Sequence, residues 1–232
     1  MHANRFATVA ILLTGLGLGG VALGDALTSP DNQVIDPSFD IRSVEVRAGT
    51  DVVRFRMTLR GEAGVRRPGP TGQLGGSQMF AYLWPTSADS AVGGFPHGRG
   101  LLVLGLVSHP DLVETVGNQQ LSGGWHPHWF VAAPGKGCGP FGLRIEEGPP
   151  ASPGALPVLT TVPNFPATLS GTTVEVQVPR RLFADPALLR YDGITATMLV
   201  SSDLTPPVLC VRVMDVASGR LSLTGTVTVE GR

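Results

Sequence analysis

Hydrophobic and polar residues alternate along much of the chain, which is the period-two pattern of β-strands with one buried face. The clearest case lies between residues 40 and 61. There, apolar residues alternate with charged ones from Val44 to Ala48 and again from Val53 to Leu59, and a short turn separates the two runs. The other face carries Glu45 and Arg47 in the first run and arginines and a threonine in the second. The pattern predicts a β-hairpin with one solvated face.

Further alternating or apolar runs that predict strands follow along the rest of the chain. The stretch after residue 147 is rich in proline and is predicted to be irregular, apart from a short edge strand at 158–162. Residues 180–190 give the one convincing helical pattern, which is short. No repeat is present and no long helix is available to connect parallel strands, so the chain is predicted to be an all-β, antiparallel sandwich of one domain. The further predicted strands are 78–84, 101–108, 125–133, 141–147, 172–179, 194–202, 207–215 and 221–230.

The first 24 residues have a different composition. Arg5 is followed by an uncharged, largely apolar run from Phe6 to Gly24, and small residues precede Asp25. This is the pattern of a secretory signal peptide, so residues 25–232 are predicted to form the mature domain. The alternative is an uncleaved membrane anchor, but four glycines within the run weaken a spanning helix. We therefore expect a secreted or periplasmic protein with no membrane association after cleavage.

The charge of the chain is nearly balanced. The chain contains 17 basic and 18 acidic residues. Removal of Arg5 with the signal peptide leaves 16 basic against 18 acidic residues, a net charge of about −2. No run of lysine or arginine is present. Such a chain lacks the positive field that nucleic acids or anionic membranes require, so nucleic-acid binding is excluded.

The two cysteines, Cys138 and Cys210, both lie in the predicted mature chain. An even number of cysteines in an exported protein favours a disulfide. Closing so long a loop restricts the unfolded chain and stabilises the fold by about 4 kcal/mol. Each cysteine could instead be a small buried residue or a soft metal ligand.

Histidines are the main candidates for chemistry. All four in the predicted mature chain, His97, His109, His126 and His128, fall within 32 residues. Positions i and i+2 of a strand share a face, so His126 and His128 could bind one copper or zinc ion. A third ligand would come from His109 or His97, or from the carboxylate of Asp111. The sequence therefore predicts a metal site built around the pair at 126 and 128.

A plainer interpretation of the same segment remains open. In Trp125-His126-Pro127-His128-Trp129 the residues alternate as in any half-buried strand, with the tryptophans inward and the histidines facing solvent. Pro127 lacks a backbone donor, which favours a sheet edge or a bulge.

The hairpin at 40–61, together with the strand and Leu-rich turn TVEVQVPRRLFADP at 173–186, resembles secreted DOMON-like domains. That resemblance implies an immunoglobulin-like β-sandwich with one short helix near residues 180–190, and binding of haem or sugar. Haem-binding members use a methionine and a histidine as axial ligands. The matching residue types here are Met57 or Met79 with His126 or His128, although Met57 belongs to an apolar alternating set that favours core packing.

Other known patterns fail on particular residues. Gly124-Trp125-His126-Pro127-His128 is similar to the Gly-Phe-His-x-His start of copper-zinc superoxide dismutases, but no histidine follows His128. A blue-copper site needs a histidine and a methionine soon after its cysteine, and Cys138 has neither. No Gly-x-Ser-x-Gly nucleophile motif occurs. Binding is therefore expected rather than catalysis.

The aromatic residues give the alternative function. Exposed rings on a sandwich face could stack on a sugar, which would make the protein a carbohydrate- or envelope-binding module with Trp125 and Trp129 in its site. The chain has few aromatic residues, so most of them are also needed for the core. A structural envelope protein without a small ligand is the third possibility. The candidate aromatic residues are Tyr82, Trp84, Trp125, Trp129 and Tyr191.

Overall fold

The computed structural model describes residues 26–73, 75–111, 114–116, 119–121, 124–135, 138, 142–145, 160–201 and 208–231. The predicted signal peptide lies outside these ranges. No helix within them has the length and apolar character needed to cross a membrane.

The regular secondary structure of the described residues consists almost entirely of strands, which confirms the all-β prediction. Three short 3-10 turns complete the elements, at Ser90–Gly93, Arg180–Leu182 and Pro186–Leu188. In chain order the strands are β1 (Leu27–Thr28), β2 (Ile41–Ala48), β3 (Val52–Leu59), β4 (Gln78–Pro85), β5 (Leu101–Ser108), β6 (Glu114–Val116), β7 (Gln119–Leu121), β8 (Trp125–Pro134), β9 (Leu143–Ile145), β10 (Thr160–Thr161), β11 (Ala167–Ser170), β12 (Thr173–Pro179), β13 (Arg190–Tyr191), β14 (Ile194–Val200), β15 (Leu209–Val216), β16 (Gly225–Thr226) and β17 (Thr228–Val229).

The first layer is a sheet with strand order β1-β2-β3-β12-β11, and β17 runs parallel beside β2. The predicted hairpin forms its centre, with a turn closed by the Gly49 amide donating to the Val52 carbonyl at 2.9 Å. The outer face is solvated and carries ion pairs between arginine and glutamate, such as Arg56 with Glu175 at 2.9 Å. Such exposed pairs contribute little to stability.

The second layer has strand order β10-β8-β5-β4-β14-β15-β9, and β9 also pairs with β8. This last pairing closes β8, β5, β4, β14, β15 and β9 into a barrel. The prediction of antiparallel layers is confirmed, but the immunoglobulin-like sandwich is wrong in this layer. An immunoglobulin sheet is open at its edges, whereas here the three-residue strand β9 joins both edges.

The fold has two hydrophobic cores as a consequence of this closure. One lies between the first sheet and the outer wall of the barrel, where Phe55 and Val176 meet Trp84, Leu104 and Trp129. The other fills the barrel and contains residues such as Met79, Val107, Phe130 and Met198. Strands β4, β5 and β8 are therefore buried on both faces, and their near-continuous apolar sequences reflect this.

Two local predictions differ from the structure. The expected helix near 180–190 is a pair of single 3-10 turns, because Pro186 cannot donate a backbone hydrogen bond and Asp185 caps the second turn by accepting from the Ala187 amide. The expected strand at 221–230 is reduced to two pairs of residues, β16 and β17. Leu223 in this segment has a φ of 44°, a left-handed conformation that interrupts an extended chain.

The predicted disulfide is present. Cys138 and Cys210 are bonded, with their Cα atoms 5.4 Å apart and 72 residues of separation. Cys210 lies in β15, opposite Arg144 of β9. The covalent bond therefore links β15 to the segment that precedes β9, at the seam where the barrel closes.

Candidate metal centre

Three histidines meet at one end of the barrel. His126 and His128 lie in β8, which pairs with β5 so that Val107 is opposite His126 and Gly105 is opposite His128. His109 directly follows the last residue of β5. The β5–β8 pairing thus brings together the predicted pair and the predicted third ligand, and these three residues are called the histidine cluster below.

The histidine cluster faces the barrel interior. On β8, His126 and His128 share the strand face of Phe130, which packs inside the barrel, while Trp129 packs on the other face in the outer core. All three histidines are buried, with exposed fractions of 1% for His109, 6% for His126 and 2% for His128. The expectation that the histidines face solvent is therefore wrong, because the closed barrel buries the second face of the strand.

The imidazole rings are close enough to share one ion. Their centroids are 4.7 Å apart for His109 and His126, 4.7 Å for His126 and His128, and 5.5 Å for His109 and His128. The Nε2 atoms of His109 and His128 are 3.4 Å apart. One candidate ligand atom from each ring lies within 4.8 Å of the other two. The three buried histidines are thus within metal-binding distance.

One hydrogen bond sets the orientation of His126. Its Nδ1 is 3.0 Å from the carbonyl oxygen of Gly124. A carbonyl oxygen can only accept, so Nδ1 carries the proton, and Nε2 would be the atom that coordinates a metal. Metal-binding histidines commonly donate their second ring N–H to a backbone carbonyl in this way.

The distances suit a four-coordinate ion. Two nitrogen ligands on a tetrahedral zinc ion, with bonds of about 2.0–2.1 Å, lie about 3.3–3.4 Å apart. The separation between His109 and His128 has this value. A square-planar ion with the same bonds would bring neighbouring ligands to about 2.9 Å. All three candidate ligand atoms lie within 4.8 Å of one another.

Gly105 makes room for the cluster, and sequence reasoning missed it. A Cβ atom at this position would lie 2.6 Å from Cε2 of Phe130 and 2.8 Å from Cδ2 of Leu83. The ring of Phe130 stacks on His128 with a centroid distance of 5.3 Å. The sequence did carry a signal for it, because a glycine in the middle of an apolar strand often marks a place where neighbouring atoms lie close to the backbone.

Trp125 holds the start of β8 from the outer side. Its ring stacks on Tyr82 at 4.8 Å, and its Nε1 donates to the Gly64 carbonyl at 3.1 Å. The Tyr82 hydroxyl accepts from the Gly64 amide at 2.9 Å and donates to the Ser38 carbonyl at 3.0 Å. These contacts fix the residue that precedes His126. Trp125 therefore acts as a positioning residue on the core side.

Pro127 lies between the two histidines without disrupting the strand. It is opposite Leu106 of β5. On the other side of β8, the pairing with β10 begins at Trp129. Pro127 thus occupies the part of β8 that is paired on one side within the described chain, in agreement with the edge position predicted for it.

His97 does not join the cluster. Its side chain is 87% exposed, and its Nδ1 lies 3.0 Å from a carboxylate oxygen of Asp89. It precedes β5, whereas His109 follows β5. The eight-residue strand therefore lies between the two histidines along the chain.

Asp111, the candidate carboxylate, anchors a loop instead of joining the histidines. Its oxygens accept from the amides of Thr71 and Gly72 at 2.9 and 2.8 Å, and from the Ser77 hydroxyl at 2.9 Å. The backbone hydrogen bond from Thr71, followed by that from Gly72, lowers the pKa of Asp111 to about 2. Its role is to tie the loop before β4 to the end of β5.

The candidate methionines and aromatic residues are packed in the two hydrophobic cores. Met57 packs in the outer core, in a different layer from the histidines, whereas Met79 packs inside the barrel. The candidate aromatic residues, all of which lie in the described part of the chain, pack in the outer core and do not form an exposed stacking platform. Tyr82, Trp84, Trp129 and Tyr191 are at most 2% exposed, and Trp125 is partly buried against the same core.

Searches with this chain found no match among models of known protein families, curated proteins or solved structures.

Proposed function

We propose that this protein is an exported module that binds one transition-metal ion through His109, His126 and His128. The observation that supports the proposal is the convergence of three buried imidazoles inside one end of the barrel. One nitrogen from each ring lies within 4.8 Å of the other two, so a single ion could bind all three histidines.

The chemistry of the ligands favours zinc or copper. Neutral imidazole nitrogen suits both metals, and the tetrahedral edge between His109 and His128 fits either zinc(II) or copper(I). Haem fits less well, because its iron takes axial ligands from opposite sides of a flat ring. Here the three rings converge on one point inside a packed barrel.

Binding and storage or delivery of the ion is a simpler role than catalysis. Trp125 and Trp129 pack in the outer core on the other face of β8, so they cover the histidine cluster from that side. The disulfide supports a location outside the cytoplasm, where cysteines are oxidised. We therefore place the module in the periplasm or outside the cell, as a carrier or sink for its metal.

The test is metal content and affinity of the mature, oxidised protein. Zinc(II) and cobalt(II) titrations are compared between the natural chain, His109→Ala and the double variant His126→Ala/His128→Ala. We expect one ion per chain and tetrahedral cobalt absorption in the natural protein, and loss of both in the variants. The matched control is His97→Ala, which removes an exposed histidine and should bind as the natural protein does. Equal binding by the natural and double-variant proteins would refute the proposal.

A further inference from the structure

Met79 is the neighbour of the histidine cluster across the strand pair β4–β5. Phe80 of β4 pairs with Ser108 of β5. Three residues further out, the Ser77 hydroxyl bonds to the Asp111 carboxylate at 2.9 Å. Continued by one residue beyond Phe80 and Ser108, the β4–β5 register would place Met79 opposite His109, and the Ser77–Asp111 bond is consistent with that continuation.

The side chain of Met79 is on the same side of the barrel wall as the histidines. Met79 and Ala81 alternate into the barrel interior from β4, as Val107 does from β5, and His109 continues that face. Directly opposed residues of antiparallel strands have their Cβ atoms about 4.5–5.5 Å apart. A methionine is long and flexible enough to reach an ion held by its neighbour.

A thioether beside three imidazoles changes which metal the site prefers. Thioether sulfur is a soft ligand that selects copper(I), whereas it adds little to the binding of zinc(II). The group of candidate ligands around His109, within the described chain, contains neither a carboxylate nor a thiolate. A single positive charge costs less to bury among neutral ligands than a double charge does. Both effects favour copper(I) over zinc(II).

We infer that Met79 supplies the fourth ligand of the histidine cluster and that the site is selective for copper(I). The inference rests on the proposed metal-binding function and names the cargo of that site. Four neutral ligands, three imidazole nitrogens and one thioether sulfur, would surround the ion inside the barrel. Binding is simple coordination of copper(I) supplied in its reduced state, so no oxidant or reductant takes part.

The experiment compares copper(I) and zinc(II) affinities of the oxidised protein with those of Met79→Leu. Copper(I) is titrated without oxygen against a chromophoric competitor, and zinc(II) against a fluorescent one. Leucine conserves the buried volume, so the barrel should remain folded. We expect copper(I) affinity to fall by about tenfold or more, while zinc(II) affinity changes by less than about twofold. X-ray absorption of the copper-loaded natural protein should show a sulfur neighbour that Met79→Leu lacks.

The matched control is Met57→Leu, an equally buried methionine in the outer core. It should leave both affinities and the sulfur neighbour unchanged. Unchanged copper(I) affinity in Met79→Leu, or an equal fall for both metals, would overturn the inference, since the methionine would then only fill space. Failure of the underlying function is distinguishable, because the double variant His126→Ala/His128→Ala would then bind both metals as the natural protein does.

Discussion

The Nε2 atoms of His109 and His128 face each other at 3.4 Å inside the barrel, one from the end of β5 and one from the middle of β8. Two neutral imidazoles at this distance can share one hydrogen bond or two coordination bonds to an ion. The ion engages His126 as well, whereas the hydrogen bond does not. Under the proposed function, one ion would therefore bind all three rings, whereas the hydrogen bond joins only two of them.

Metal should stabilise the folded protein through this site. At a free zinc(II) concentration 100 times the dissociation constant, binding to the native state alone adds about 2.7 kcal/mol. For a domain of this size that corresponds to a rise in Tm of about 5–10 °C. Differential scanning calorimetry with and without zinc measures the shift. The shift should disappear in His109→Ala, and its persistence there would place the metal elsewhere.

Gly105→Ala should damage the site without touching a ligand. The added methyl group would press on Phe130 and Leu83, at 2.6 and 2.8 Å, and Phe130 stacks on His128. We expect a loss of about 1–3 kcal/mol in the free energy of unfolding. Metal affinity should also fall, because the ring of His128 is displaced.

The control for this variant is Val176→Ala in the outer core, which destabilises by a comparable amount away from the barrel interior. Urea unfolding and zinc titration are measured on both variants. If Val176→Ala weakened zinc binding as much as Gly105→Ala does, general destabilisation would explain both, and the link through Phe130 would be lost.

Tyr82→Phe should destabilise the fold by about 1–3 kcal/mol. The hydroxyl bonds both the Gly64 amide and the Ser38 carbonyl, and its removal leaves these two backbone groups without that partner. The urea midpoint at neutral pH measures the change. A midpoint equal to that of the natural protein would mean that water replaces the hydroxyl at no cost.

Alkaline pH should destabilise the protein through its buried tyrosines. Burial raises the pKa of both Tyr82 and Tyr191 to about 12, from an ordinary value of 10.0. A raised pKa in the folded state means that this stabilisation is complete below pH 10 and is lost as the pH rises from 10 to 12. The free energy of unfolding should therefore fall over that interval. In Tyr82→Phe the fall should be shallower, and an unchanged slope would contradict the assignment.

The double variant Cys138→Ser/Cys210→Ser should unfold about 4 kcal/mol more easily, because the bond closes a loop with 72 residues of separation. Urea unfolding of the oxidised natural protein and of the variant measures the difference. Reduction of the natural protein should reproduce the variant's curve. A variant that unfolded at the same urea concentration would show that the β8–β9 pairing alone holds the barrel closed.

Much of the fold follows from local pattern, and the departures have physical causes. The hairpin β2–β3 and strand β5 lie where alternation and apolar runs predicted them. Strand β9 lies within the predicted strand 141–147, but closure was not predictable, because the sequence of that strand does not show that it pairs with the distant β15 as well as with β8. The shared face of His126 and His128 followed from their spacing. That this face is buried did not, because alternation within one strand cannot show what covers its polar side.

The third member of the histidine cluster was predictable only as a choice among His97, His109 and Asp111. The register of β5 against β8 decided it, and register depends on contacts that a single strand does not contain. Gly105 and Tyr82 were missed as supports of the site. Their importance comes from Phe130 and Trp125, with which they make contact only in the folded chain.

The order of the strands along the chain has a consequence for the order in which the site and the barrel form. The three imidazoles are complete once the chain up to residue 128 has emerged, whereas the barrel is sealed by strands from residues 194–216. A chain that folds from its N-terminal end therefore presents its metal ligands on an open sheet before β14 and β15 arrive. Under the proposed function, the ion can then bind to the histidine cluster before the barrel closes. Strands β14 and β15 would afterwards enclose it.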